Sequence, residues 1–200
     1  MAKLKLTKNE QKKQKDSLKR FERYLPTLML KKQQLQAEIR TVDTRVAELR
    51  QHKERMDESY KKWVAIFGDE GVFTSGILKI SKLLRGDGNI AGVPIPVYEG
   101  VEFETAQYDL VEKPYWLDLA VNNMKNILSL DLELKTLEEQ QRLLRKELQT
   151  TSQRVNLFEK IKIPEARANI KKIAVYLGDQ QTAAVVRGKI SKRGMERAGS

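Results

Sequence analysis

Few residues of this chain have the types and spacing needed for chemistry. Gly86-Asp87-Gly88-Asn89-Ile90-Ala91 carries the spacing of a dinucleotide-binding loop in its Gly/Ala form, with Asp109 about 20 residues on. That chemistry requires a helix opening directly after the glycines, so that its N-terminus receives a pyrophosphate. Pro94 and Pro96 follow instead, and the stretch reads as a plain turn. No glycine loop ending in Lys-Ser or Lys-Thr is available to cradle a phosphate. His52, the only histidine, lies between Gln51 and Lys53, and there is no cysteine to join it at a metal. The adjacent carboxylates Asp57-Glu58 and Glu138-Glu139 read as solvating charges on exposed helix faces. The sequence therefore assigns no catalytic, cofactor-binding or metal-binding residue, and no cofactor is expected.

The remaining chemistry is electrostatic. The net charge is +11, but it is uneven: residues 1–24 carry +6, residues 160–200 carry +7, and the stretch between them carries −2. Lys12, Lys13, Lys15, Lys19, Arg20 and Arg23 crowd one end of the chain and could follow nucleic-acid phosphates. Almost no aromatic residue interleaves with them, and no base-reading module is visible, so nucleic acid is not the expected partner. The alternative is a basic tip seated in a protein socket. Glu99, Glu102, Glu104, Asp109 and Glu112 form an acidic stretch that reads equally as a docking surface or as a soluble loop.

Such residues must be positioned by something, and the sequence states what. An apolar stripe with alternating steps of three and four runs through Leu18, Phe21, Leu25, Leu28, Lys32, Leu35, Ile39, Val42, Val46, Leu49, Lys53, Met56, Tyr60, Trp63 and Phe67. Only Lys32 and Lys53 interrupt it. A 3.5-residue repeat held over seven heptads is a coiled-coil seam, since it keeps one narrow stripe facing a partner helix. The partner is predicted in the second half of the chain, with Leu144, Leu148, Val155 and Phe158 in its seam and register slips near 130–136 and 160–166. The predicted fold is mainly α, a long antiparallel two-helix coiled-coil hairpin with a small β-hairpin insert at the turn end.

Four segments follow. Residues 1–67 form the N-terminal helix, capped by Thr7 or Asn9, bent rather than broken at Pro26, and ended at Gly68. Residues 68–113 form the insert, which is expected to cap the rod. Its parts are a strand over Ile77–Leu84, a turn over Arg85–Asn89 and an extended edge over Val93–Tyr98. Residues 114–187 form the second helix, opened by Pro114 and kinked at Pro164. Residues 188–200 read as a basic, flexible tail. Each helix should extend on the order of 80–95 Å, with both basic termini at the end away from the insert. No apolar run is long enough to span a membrane, and the first residues lack the apolar core of a signal peptide, so no direct membrane insertion is expected.

Three stretches carry a family resemblance. They are Leu6-Thr7-Lys8-Asn9-Glu10 before a basic helix, Asn89-Ile90-Ala91-Gly92-Val93-Pro94-Ile95-Pro96, and Arg154-Val155-Asn156-Leu157-Phe158-Glu159 followed by Ile163-Pro164. In this order and spacing the chain resembles the D subunit of the V-type/A-type rotary ATPases, with Pro26 and the glycine-punctuated tail as departures. The resemblance implies a non-catalytic rotor shaft, cytoplasmic and peripheral to the membrane. Its paired terminal helices would enter a hexamer of catalytic and regulatory subunits. A small stalk protein, the F subunit, would bind its side, and a funnel-shaped subunit would dock it to the membrane rotor ring. Under that reading Lys12, Lys13, Lys19, Arg20, Arg154, Lys171 and Lys172 are the expected contacts with the hexamer cavity. The alternative is a nucleic-acid-binding or scaffolding coiled coil.

Overall fold

A computed structural model describes residues 4–64, 77–106 and 116–198. Helix α1 spans Lys8–Val64, strand β1 Leu78–Ile90, strand β2 Val93–Thr105 and helix α2 Leu117–Asn156. A π-helical turn, Leu157–Lys162, joins α2 to helix α3, Ile163–Ala198. The fold is a pair of long helical stretches enclosing one antiparallel hairpin, as expected. The expected helix end at Phe67 and Gly68, Asp109 and Glu112 of the acidic stretch, and the helix-opening Pro114 lie outside the described residues. So do Phe67 and the side chain of Trp63 in the seam.

Thr7 caps α1, its Oγ1 accepting from the Glu10 N–H at 3.3 Å. Pro26 lies within α1, and the helix runs through it unbroken. The chain falls into two compact units, residues 33–149 and the combined segments 1–32 and 150–200.

In the unit formed by residues 33–149, the buried stripe of α1 is Leu35, Ile39, Val42 and Val46. It packs with Leu137 and Leu144 of α2 and with Val93 and Ile95 of the hairpin, while Leu49 and Leu148 lie at the margin. Cross-helix partners rise along α1 as they fall along α2: Asp43 meets Arg145, Arg50 meets Glu138, and Lys53 meets Asp131. The helices are therefore antiparallel here. The insert is more than a cap. Its tip, at Ile90, Ala91 and Val93, lies against the middle of the helix pair, held there by the Gln140 amide donating to the Pro96 carbonyl at 2.6 Å and by a Tyr98–Ser129 hydroxyl contact at 2.7 Å. At its base Ile77 packs with Leu117 and Val121.

The expected turn at Arg85–Asn89 is corrected, because those residues are strand. The true turn is Ala91-Gly92, whose φ values of 52° and 77° give the tight connection that matches strand twist. Asn89 Oδ1 accepts from the Gly92 N–H at 2.9 Å and closes it. Gly88 is glycine for a cross-strand reason: a Cβ there would come within 2.8 Å of Val97 Cγ2. A strand after the glycines cannot present a helix N-terminus, so the dinucleotide spacing has no structural support.

The slip expected near 130–136 leaves no mark on the backbone, and α2 passes through it. There the stripe is carried by buried Thr136 and Gln140, which an apolar pattern misses. The slip near 160–166 coincides with the π turn. The tail expected from residue 188 is also corrected: α3 continues helically through Gly178, Gly188 and Gly194 to Ala198.

Candidate interaction site

All seven expected cavity contacts fall in the unit built from residues 1–32 and 150–200. Lys12, Lys13, Lys19 and Arg20 are exposed on the first turns of α1. Arg154 is exposed in the last turn of α2, and Lys171 and Lys172 are exposed on α3. They stand outward because the inward positions between them are apolar. Leu18, Phe21, Leu25 and Leu28 are half-buried on α1, and Val155, Ile163, Ala166 and Ile173 are buried on α2 and α3. Phe21 and Phe158 stack with ring centroids 5.2 Å apart, and Arg167 reaches Glu22 at 2.7 Å. These contacts bring the start of α1 against the π turn and α3.

The two units differ in how their charge is compensated. Residues 1–32 and 150–200 hold 22 Lys and Arg against seven Asp and Glu, a net +15. Residues 33–149 hold 16 against 20, a net −4. Among the described residues, no ion pair engages Lys12, Lys13, Lys19, Lys171, Lys172 or Arg154, and Arg20 has only a 3.4 Å contact with Ser17 Oγ. In residues 33–149 four cations are instead tied down across the helix pair, Arg45 on Glu133 at 3.3 Å, Arg50 on Glu138 at 2.6 Å, Lys53 on Asp131 and Arg145 on Asp43 at 3.1 Å. Uncompensated positive charge at a surface is a binding determinant for acidic or carbonyl-rich partners and steers their approach.

The sequence did not indicate the partners that hold the tied-down cations. A hydrogen bond from Gln141, joined by Arg145, holds the Asp43 carboxyl below the usual carboxylate range against the opposing effect of partial burial. A hydrogen bond from Lys53 lowers Asp131 in the same way, and Asp131 raises Lys53 in return. Lys53 interrupts the apolar stripe because it reaches Asp131. Its place in the stripe was the one signal that such a carboxylate existed. Met56 and Tyr60 are half-buried beyond it. Among the described residues, no group of three or more His, Asp and Glu side chains is gathered for a metal, and His52 is exposed.

The sequence matches a known family along almost its whole length. The model of the ATP synthase D subunit family matches residues 10–193. The chain belongs to that family. It is 50% identical over 192 residues to the V-type ATP synthase D subunit of Borreliella burgdorferi, covering 96% of this chain and 95% of the relative. It is 35% identical over 193 residues to the protein of that name in Chlamydia felis, covering 95% and 92%. The Chlamydia pneumoniae protein is 35% identical over 196 residues, covering 96% and 93%. These relatives are subunits of a rotary ATPase, so the chain is one subunit among others in such a complex. No helix among the described residues is long and apolar enough to cross a membrane.

Proposed function

We propose that this chain is the central rotor shaft of a V-type ATPase/ATP synthase. It carries torque between the catalytic hexamer and the membrane ion-translocating ring and takes no part in the chemistry of ATP. On this reading the basic surface of residues 1–32 and 150–200 sits in the cavity of the hexamer of catalytic and regulatory subunits. The small F subunit of the stalk binds the side of the shaft. The funnel-shaped subunit connects it to the rotor ring, so the chain works in the cytoplasm, peripheral to the membrane. The observation that carries the reading is the net charge of +15 in one unit of a chain whose other unit carries −4 and several cross-helix ion pairs. A shaft turning inside a socket benefits from long-range attraction, which has no fixed partner and therefore no single deep minimum to hold it. Directional ion pairs would favour one angular position.

Charge reversal tests this directly. In the assembled complex, Lys12→Glu, Lys13→Glu, Lys19→Glu and Arg20→Glu together should weaken the coupling of ATP hydrolysis to ion transport, measured as ions moved per ATP in reconstituted vesicles. Unchanged coupling with normal assembly would reject the reading.

A further inference from the structure

We propose that the π turn Leu157–Lys162 is a one-residue phase reset: it keeps the buried stripe of α2 continuous with that of α3 and turns Lys172 outward. Upstream of the turn, Thr151 and Val155 are buried at 1% and 4% exposure. Continued in steps of three and four, that stripe would next fall on Phe158, Lys162, Glu165, Asn169, Lys172 and Tyr176. The buried residues of α3 are Ile163, Ala166 and Ile173, with Asn169, Ile170 and Leu177 half-buried, and all of these but Asn169 lie one position later than that continuation. One residue of helix is about 100° of rotation. A turn closed by bonds from i to i+5 absorbs one extra residue, and the Ile163 N–H donates to the Phe158 carbonyl five residues back. Held to the 3.5-residue repeat of the seam, a helix without the extra residue would place Lys162, Glu165 and Lys172 in it, which burial disfavours.

Proline does not account for the turn. Pro164 removes one N–H, which would leave the Lys160 carbonyl without an α-helical donor. Yet Pro26 removes one from α1 in the same way, and α1 remains α-helical from Lys8 to Val64. What distinguishes the two sites is the stripe. It keeps phase through Pro26, from Phe21 and Leu25 to Leu28, all half-buried, and it changes phase by one residue at the π turn.

The test is a single-residue deletion in the full chain, and its readout does not depend on the rotor reading. Deleting Glu159 should let α2 and α3 merge into one α-helix with the stripe in phase, and should lower the thermal midpoint by less than about 3 °C. Deleting Ala168 puts Ile170, Ile173 and Leu177 out of phase and should lower it by more than about 10 °C. Equal losses in the two deletions would overturn the proposal. A second variant separates phase from proline. In Pro164→Ala, a cysteine placed by Lys172→Cys should still label fast with maleimide, and one placed by Ile173→Cys should stay protected. Exchange of those two reactivities would also overturn it.

Discussion

Lys53 and Asp131 show how a polar pair is accommodated in an apolar seam. Each makes the other's charged form more favourable in the fold than in the unfolded chain. Carboxyls lowered on folding, Asp43 and Asp131, contribute stability that is complete above the ordinary Asp value of about 3.9 and is lost as pH falls through their lower folded values. Lys53, raised on folding, contributes stability that is complete below its ordinary value of about 10.4 and is lost as pH rises through the folded one. Thermal midpoints measured from about pH 2 to 7 should therefore fall more steeply below pH 4 in the natural chain than in Asp43→Asn/Asp131→Asn. Because these groups are about a third exposed, the difference should shrink in high salt. Leu35, fully buried, carries a larger share, and Leu35→Ala should cost about 2–5 kcal/mol in a denaturant titration. The stripe residues were legible because their period is a local property of the sequence. Lys53 was legible only as an interruption, since its partner lies 78 residues away, and spacing says nothing at that range.

At the scale of elements, the clearest departure from the sequence reading is α3. Gly178, Gly188 and Gly194 suggested a loose tail, because glycine raises the entropy of the unfolded chain and weakens helix. They are nevertheless helical, and a Cβ at any of them would meet nothing within 4 Å. Gly178→Ala, Gly188→Ala and Gly194→Ala should each stabilise the end of α3 by about 0.5–1 kcal/mol, seen as slower amide exchange over residues 174–195. Gln140, like Ser129, joins α2 to β2 of the hairpin. Gln140→Ala removes its bond to the Pro96 carbonyl and should destabilise the docked tip by about 1–2 kcal/mol, read as faster exchange at residues 88–95. The presence of a hairpin was readable from Gly, Asn and Pro. The position of its turn was not, because Gly86 and Gly88 look like turn residues, whereas both lie in strand and Gly88 is hemmed in by Val97 and Ile95 of the facing strand. The π turn was visible as a slip in period, but a slip alone does not say whether the backbone or the partner helix absorbs it.

For the molecule as a whole, the ends of the chain and its middle should respond oppositely to salt. Repulsion within the +15 unit opposes its own compaction, while the ion pairs of residues 33–149 weaken when screened. Raising salt from about 0.05 to 0.5 M should slow amide exchange in residues 8–32 and 150–178 and slightly quicken it in residues 33–60. The same division has a consequence for biosynthesis. The Glu22–Arg167 ion pair closes a separation of 145 residues, whereas the hairpin is closed by a turn of two residues. Closing long loops is entropically costly and slows folding, so the hairpin and its helix contacts are expected to form before the ends meet. Residues 1–32 leave the ribosome well before the segment that covers them, which begins at residue 150. At 5–20 residues per second that is a wait of roughly 6–24 s. Throughout it Leu18, Phe21, Leu25 and Leu28 have no partner, and the nascent helix depends on its own lysines, or on a chaperone, to stay in solution.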